Sequence, residues 1–194
     1  EKNRLHHDGL MSTFYDDARS LAQKLTHWSK KQKNSKHRYI ITSGGGPGIM
    51  EAASRGASEA KGLSIGLNIT IPHEQSGNKW LTPDLNMEFH YFFMRKFWMA
   101  YLAKALVVFP GGFGTLDELM EILTLIQTKK IKKSIPIVLY GKEFWENVIN
   151  WNYLLKAGTI SKKDLDLFTI CDSVEDAFSF LTTKITGAHT GPNF

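Results

Sequence analysis

Residues 107–118 constrain the fold more than any other stretch of this sequence. An apolar run, Val-Val-Phe-Pro, enters the turn Gly-Gly-Phe-Gly, and Thr-Leu-Asp-Glu follows as the start of an expected helix with acids in its first turn. Glycines let backbone N–H groups approach a ligand closely, and a helix N-terminus offers unpaired N–H groups at the positive end of its dipole. The stretch therefore predicts a phosphate-binding turn between a strand and a helix.

A second turn of the same kind occurs at residues 43–50, Ser-Gly-Gly-Gly-Pro-Gly-Ile-Met. Apolar runs and helical periodicity alternate along the rest of the chain. The predicted strands are 38–42, 63–69, 106–109, 135–139 and 168–171. The predicted helices are 13–31, 47–61, 89–105, 144–157, one after the turn at 110–114 and one capped by Ser173 with Asp176. This order predicts an α/β fold with a doubly wound parallel sheet between two layers of helices.

The pattern favours a single domain over residues 13–183, with flexible ends at 1–12 and 187–194. Thr13 and Asp16 have the spacing of a capping box, which places the first helix start at Thr13. Residues 70–88 contain two prolines and no periodicity, so we expect a functional loop over the strand ends. Because doubly wound sheets usually begin with a strand, we also expect a strand upstream of this sequence.

Composition excludes several classes of protein. No apolar run approaches the roughly 20 residues that span a bilayer, so no membrane partner is expected. The single cysteine, Cys171, cannot form an internal disulfide and is interpreted as a small buried strand residue. This cysteine usage predicts a cytoplasmic protein.

The net charge of +5 raises the question of a nucleic-acid partner. The basic residues cluster at 30–38 and 129–133, where lysines suit helix C-termini and loops. No nucleic-acid-binding motif accompanies them. We therefore expect an anionic small molecule rather than DNA or RNA.

The glycine turns match neither of two common nucleotide motifs. No Gly-Lys-Ser/Thr follows them as in a P-loop, and Asp117 stands where the third glycine of the dinucleotide fingerprint belongs. NAD is therefore not favoured. No cluster of His, Asp and Glu predicts a metal, and no feature favours pyridoxal phosphate, so we expect no cofactor.

Three motifs together resemble the LOG ("Lonely guy") family of cytokinin riboside 5′-monophosphate phosphoribohydrolases, formerly labelled possible lysine decarboxylases. They are residues 44–52, the pair Arg95-Lys96, and residues 110–118 with the signature Pro-Gly-Gly-x-Gly-Thr-x-x-Glu. The surrounding sequence is more similar to the longer bacterial branch. The resemblance implies a Rossmann-like fold, a homodimer or higher oligomer, and hydrolysis of the N-glycosidic bond of AMP or a related nucleotide.

The resemblance also implies roles for individual residues. Arg95 and Glu118 match the family's catalytic pair. The expected substrate-binding residues are Gly44, Gly45, Gly46, Gly48, Met50, Glu74, Lys96, Gly111, Gly112, Gly114 and Thr115. Arg95 is expected to bind phosphate or to orient Glu118. The aromatic residues around it are expected in the core or at a subunit interface.

Two questions stay open at the level of sequence. Thr115-x-x-Glu118 also has the spacing of a capping box, in which Glu118 would accept the Thr115 backbone N–H instead of acting on a substrate. Asp117 and Glu121 are interpreted as first-turn acids that complement the helix dipole. The alternative function is a non-catalytic nucleotide-binding carrier or regulator on the same fold.

Overall fold

A computed structural model describes residues 2–32, 39–70, 77–132 and 135–186 of the chain. The chain forms two compact units, Glu1–Met99 and Ala100–Phe194. Within the described ranges no helix is both long enough and apolar enough to cross a membrane. Each unit contains a three-stranded, entirely parallel sheet with helices alongside it.

The first unit has the strand order β1-β2-β3. Ile41 is opposite Ser64 in the first pair of strands, and Gly66 is opposite Asn86 in the second. The elements are α1 (Lys2–Lys30), β1 (Ile41–Ser43), α2 (Ile49–Glu59), β2 (Ser64–Ile69), a 3-10 turn (Pro83–Leu85), β3 (Asn86–Phe89) and α3 (Phe92–Leu102), which continues into the second unit.

Helices α1 and α2 pack closely because α2 carries a small residue at the contact. A Cβ atom at Gly56 would overlap the carbonyl oxygen of Arg19. Beside this contact Glu59 accepts hydrogen bonds from the Arg19 Nε at 2.7 Å and the Arg55 Nε at 3.0 Å. Bonding to Arg19, and then to Arg55, lowers the pKa of the Glu59 carboxyl. The pair of helices is thus held by backbone proximity and by one shared carboxylate.

The second unit has the strand order β4-β5-β6. Its elements are β4 (Leu106–Val108), α4 (Phe113–Gln127), β5 (Ile137–Tyr140), α5 (Lys142–Val148), α6 (Trp151–Lys156), a 3-10 helix (Lys162–Leu167), β6 (Thr169–Cys171) and α7 (Val174–Thr186). Strand β5 is buried at every residue, as expected for the middle strand of a covered parallel sheet. The fully buried Leu119 of α4 and Trp145 of α5 pack in one cluster with Val108, Ile137 and Leu139 of the sheet.

The sequence predicted most of these elements. All five predicted strands are present with small shifts, and every pairing is parallel. The cap of the last helix is confirmed, since the Asp176 N–H donates to the Ser173 hydroxyl at 3.1 Å. Cys171 is buried at the end of β6, as predicted, and burial raises the pKa of its thiol.

The predicted start of the first helix at Thr13 is wrong. Helix α1 begins at Lys2, and Thr13 lies inside it. The Thr13 hydroxyl donates to the Gly9 carbonyl oxygen at 3.1 Å, a bond to the preceding turn that a residue at the helix start cannot make. The same residue types that cap a helix thus also occur within one.

The description of residues 70–88 as loop also needs correction. Strand β3 begins at Asn86 and pairs with β2. It lies at the edge of the sheet and its side chains are mostly exposed, so its sequence carries no alternating burial pattern. This strand is defined by its backbone pairing with β2, which the alternation of apolar and polar residues in the sequence does not reveal.

The single helix predicted at 144–157 is two helices. Helix α5 ends at Val148, and α6 begins at Trp151. The Asn150 side chain accepts the Tyr153 N–H at 2.9 Å and so caps α6. Asparagine prefers this position because its side-chain oxygen satisfies an N–H that the new helix leaves unpaired.

Candidate functional site

The first glycine turn connects the end of β1 at Ser43 to the start of α2 at Ile49. Gly45 and Gly48 have φ values of 79° and 71°, in the region that L-residues with side chains rarely adopt. Gly48 is the N-cap of α2, and no side chain among the described residues caps this helix. The first N–H groups of α2 are therefore available to a bound anion.

The arginine of the predicted catalytic pair reaches this turn. A Cβ atom built on Gly44 would lie 3.0 Å from Arg95 Nη1 and 2.8 Å from Met50 Sδ. The Arg95 guanidinium also lies over the Phe92 ring, 5.5 Å from its centroid. Gly44, Met50 and Arg95, which are far apart in sequence, are thus neighbours in the first unit.

Two asparagines that the sequence analysis did not single out hold the same turn. The Asn68 side chain fills the space where a Cβ of Gly45 would be, and it donates to the Asn86 side chain. The Asn78 backbone N–H donates to the Gly45 carbonyl oxygen, and its side chain donates to the Gly45 and Gly46 carbonyl oxygens. Asn78 ends the sequence Ser-Gly-Asn, a combination typical of turns, and this is the one sequence signal that could have indicated it.

The second glycine turn connects β4 to α4 and is anchored by buried residues. Val108, Phe109 and Pro110 are buried, and the Phe109 ring stacks on Tyr140 with centroids 4.6 Å apart. A Cβ atom on Gly111 would overlap the Thr115 side chain. Thr115 is therefore folded back over the turn, and Gly111 is required by the space that Thr115 occupies.

Gly112 and Gly114 differ from Gly111 because a Cβ atom on either would have no neighbour within 4 Å. Gly112 is the N-cap of α4, a position where glycine is common, and no side chain caps this helix. Gly114 lies within the first turn of α4, where alanine would be more stable than glycine. Neither local packing within the described residues nor helix stability accounts for Gly114, and its role in binding a ligand stays a prediction.

Glu118 lies one turn further along α4 and is half-buried. It follows Gly114 by four residues, so the two share a face of the helix. The capping-box alternative fails because α4 begins at Phe113, which makes Thr115 the third helical residue and not the N-cap. The interpretation of Asp117 and Glu121 as first-turn acids is wrong for the same reason, since both lie beyond the first turn.

The predicted site residues therefore form two groups. The first unit brings Gly44, Gly45, Gly46, Gly48, Met50 and Arg95 to one turn, and Lys96 follows Arg95 on α3. The second unit brings Gly111, Gly112, Gly114, Thr115 and Glu118 to the other. The pairing of Arg95 with Glu118 stays a prediction, and Glu74 lies outside the described residues. Across the described ranges no three His, Cys, Asp or Glu side chains are grouped as metal ligands.

Solved structures define the class of protein. A structure of the molybdenum cofactor carrier protein from Chlamydomonas reinhardtii aligns with a TM-score of 0.60 and 19% identity, over 90% of this chain and 89% of that one. At this identity the likeness shows the fold alone. The predicted class, an α/β Rossmann-like fold with three α/β/α layers, is confirmed.

Sequence comparison defines the family. The profile described as "Possible lysine decarboxylase" matches residues 50–181, and the chain belongs to this family, the LOG family.

Curated relatives include the probable cytokinin riboside 5′-monophosphate phosphoribohydrolase LOG4 of Oryza sativa subsp. japonica, 26% identical over 77% of this chain and 63% of that protein. The Arabidopsis thaliana enzyme LOG3 is 28% identical over 61% of this chain and 51% of its own length. The matched part thus spans about half to two-thirds of these relatives.

Substitution of Gly114 by alanine tests whether the space above the second turn is open. We expect Gly114→Ala to raise the free energy of unfolding by about 0.5–1 kcal/mol, because alanine favours the helix and meets no neighbour. Thermal or urea unfolding measures the change. Gly45→Ala is the matched comparison, and we expect it to destabilise by about 1–3 kcal/mol because it combines a positive φ with an overlap at Asn68. A destabilised Gly114→Ala protein would contradict the open space.

Proposed function

We propose that this protein is a nucleoside 5′-monophosphate phosphoribohydrolase. It hydrolyses the N-glycosidic bond of AMP or a related purine nucleotide, cytokinin riboside 5′-monophosphates included, to the free base and ribose 5-phosphate. The proposal is supported by membership of the LOG family and by the names of the curated relatives. It applies to this chain the activity that those names give to the relatives.

The observation that carries the proposal is the open space at Gly114 beside an uncapped helix start. A phosphate there accepts hydrogen bonds from the first N–H groups of α4 and meets the positive end of the helix dipole. Glu118 lies four positions after Gly114, about 6 Å along the helix axis. A ribose attached to that phosphate extends over the same face, toward the Glu118 carboxylate.

Glu118 is suited to the chemistry that this bond requires. Breaking an N-glycosidic bond builds positive charge on the sugar in an oxocarbenium-like transition state. A carboxylate beside the anomeric carbon stabilises this charge and accepts a proton from the attacking water. The water oxygen then bonds to the anomeric carbon, and the bond electrons leave with the base, which takes up a proton.

Arg95 supplies the positive charge of the proposed site. Its Nη1 atom lies beside Gly44, where the first turn presents the uncapped N–H groups of α2. A guanidinium in this position binds an anionic oxygen of the nucleotide or orients a carboxylate by charge-assisted hydrogen bonds. Both roles require the first turn to keep its shape.

The carrier alternative has the same fold and a nucleotide ligand, but no reaction. The likeness to a molybdenum cofactor carrier protein does not favour it, because a shared fold does not carry a function. A carrier, which does not break the glycosidic bond, does not need a carboxylate at Glu118 for its function. Loss of that carboxylate therefore separates the two functions.

Glu118→Gln is the variant that tests the enzymatic proposal. With AMP and other nucleoside monophosphates, we expect the parent protein to release free base, detected by chromatography. We expect the variant to lose about 100-fold or more in kcat, because it lacks the charge that stabilises the transition state.

Asp117→Asn is the matched control, one residue earlier on the same helix, and should change kcat by less than about threefold. If no monophosphate is cleaved, or if Glu118→Gln is as fast as the parent, the enzymatic proposal fails. Binding of AMP without release of adenine would favour the carrier.

A homodimer and a cytoplasmic location also belong to the proposal. Helix α3 exposes large apolar side chains along its length, beyond what a monomer usually leaves in water. They are Phe92, Phe93, Met94, Phe97, Trp98 and Leu102. A second copy of the chain is the occupant that family membership favours. The single buried thiol of Cys171 fits a reducing compartment.

Substitution of Phe93 tests the homodimer. Phe93 is 65% exposed, so its replacement by lysine costs the monomer little. We expect Phe93→Lys to shift the mass measured by size-exclusion chromatography with light scattering from two chains to one. Tyr153→Lys, at an equally exposed aromatic residue of α6, should leave the mass unchanged. A parent protein that is monomeric at micromolar concentration would refute the dimer.

A further inference from the structure

Asn78 makes three hydrogen bonds to the first glycine turn. Its backbone N–H donates to the Gly45 carbonyl oxygen at 2.7 Å. Its side-chain Nδ2 donates to the same oxygen at 3.1 Å and to the Gly46 carbonyl oxygen at 3.2 Å. The Ser54 hydroxyl of α2 lies 3.5 Å from Nδ2. One residue thus ties its own loop to the turn and to the helix that the turn begins.

The orientation of the Asn78 amide is fixed from both sides. Its Oδ1 accepts the Trp80 backbone N–H at 3.1 Å, so Nδ2 must face the turn. Donors are required there because both turn atoms within reach are carbonyl oxygens. Aspartate has the same shape but no donor at neutral pH, and its charge would face two carbonyl oxygens.

These bonds determine where the Gly46 N–H points. A trans peptide unit carries its C=O and N–H on opposite sides, so holding the Gly45 carbonyl toward Asn78 directs the Gly46 N–H away from it. Residue 47 is a proline without an N–H, so the bond to the Gly46 carbonyl fixes the direction in which the chain enters α2. The Asn68 side chain occupies the space beside Gly45 on another side of the turn, and Gly45 has a positive φ. Asn68 thus restrains one side of the turn, and Asn78 restrains the carbonyl oxygens on the other.

We propose that Asn78 is a positioning residue of the nucleotide site, which holds the first glycine turn in the shape that binds substrate. The inference rests on the proposed function. Asn78 does not touch the reacting atoms, and it acts through the backbone of Gly45 and Gly46. Its loss weakens binding of the nucleotide without removing the groups that perform the hydrolysis.

Asn78→Asp is the variant that tests this role, with AMP as the substrate. We expect KM for AMP to rise about tenfold or more at neutral pH, since two hydrogen bonds to the turn are replaced by repulsion. We expect kcat to change by less than about threefold, because Arg95 and Glu118 are intact. The KM of the variant should fall again as pH is lowered through the pKa of the new carboxyl, because the protonated carboxyl donates one hydrogen bond.

Two further variants make the experiment decisive. Asn147→Asp is the matched control. In the parent the Asn147 Nδ2 donates to the Glu143 carbonyl oxygen on the exposed face of α5, so KM should stay unchanged in this variant. Asn78→Ser keeps one neutral donor and gives an intermediate KM. Thermal unfolding of each variant reports whether it is folded at the assay temperature.

The outcomes separate this inference from the proposed function. A parent protein that cleaves no nucleotide refutes the proposed function. A parent that cleaves AMP, with folded Asn78 variants of unchanged KM, refutes the positioning role alone. Loss of kcat in proportion to the folded fraction, or failure of both Asn78 variants to fold, would show a purely structural role and also refute it.

Discussion

Helices α2, α4 and α5 each begin after a glycine, which has no side chain to cap the helix. At α5 the Asp172 side chain accepts the Lys142 N–H at 2.6 Å instead, whereas within the described residues no side chain caps α2 or α4. Helix α2 starts after Gly48 and α4 after Gly112. A helix start usually satisfies some of its four unpaired N–H groups with a serine, threonine, aspartate or asparagine side chain. Here the N–H groups are left to water or to a ligand. The sheets, the buried ends of the strands and the asparagines around the first turn all serve to present these two helix starts.

The glycines of the two turns are present for different physical reasons. Gly45 and Gly48 need positive φ values, and Gly111 lacks the space for a side chain. Gly114 has neither requirement and makes its helix less stable than alanine would. A glycine that lowers helix stability, and that no contact within the described part of the chain requires, is what we expect at a position that binds a ligand. The sequence shows seven glycines in the two turns, and only the structure separates these reasons.

The sequence predicted the architecture well because its signals are local. Apolar runs mark the strands, and helical periodicity with glycine breaks marks α2 and α4. It could not predict β3, whose exposed edge position leaves no burial pattern, or the break at Asn150, which depends on a single capping side chain. It placed the start of α1 at Thr13 because capping residues are also used inside helices.

The candidate site was predicted in part. Motif resemblance supplied Arg95, Glu118 and the glycines, and the contact of Arg95 Nη1 with the Gly44 region agrees with a shared site in the first unit. Asn68 and Asn78 could not be found in this way, because their role depends on hydrogen bonds to backbone atoms distant in sequence. Such bonds appear only once the chain is folded. The capping-box alternative for Glu118 was likewise excluded only by where α4 begins, and the catalytic role of Glu118 stays a proposal.

The central proposal is that the start of α4 binds the 5′-phosphate of a nucleotide and so places its sugar beside Glu118. Comparison of AMP with adenosine tests this most directly, since the two differ only in that phosphate. Release of adenine from each, followed by chromatography over a range of concentrations, gives kcat/KM for both. The account predicts that kcat/KM for adenosine is lower by about 100-fold or more, because phosphate binding energy is lost. Equal cleavage of AMP and adenosine would contradict it.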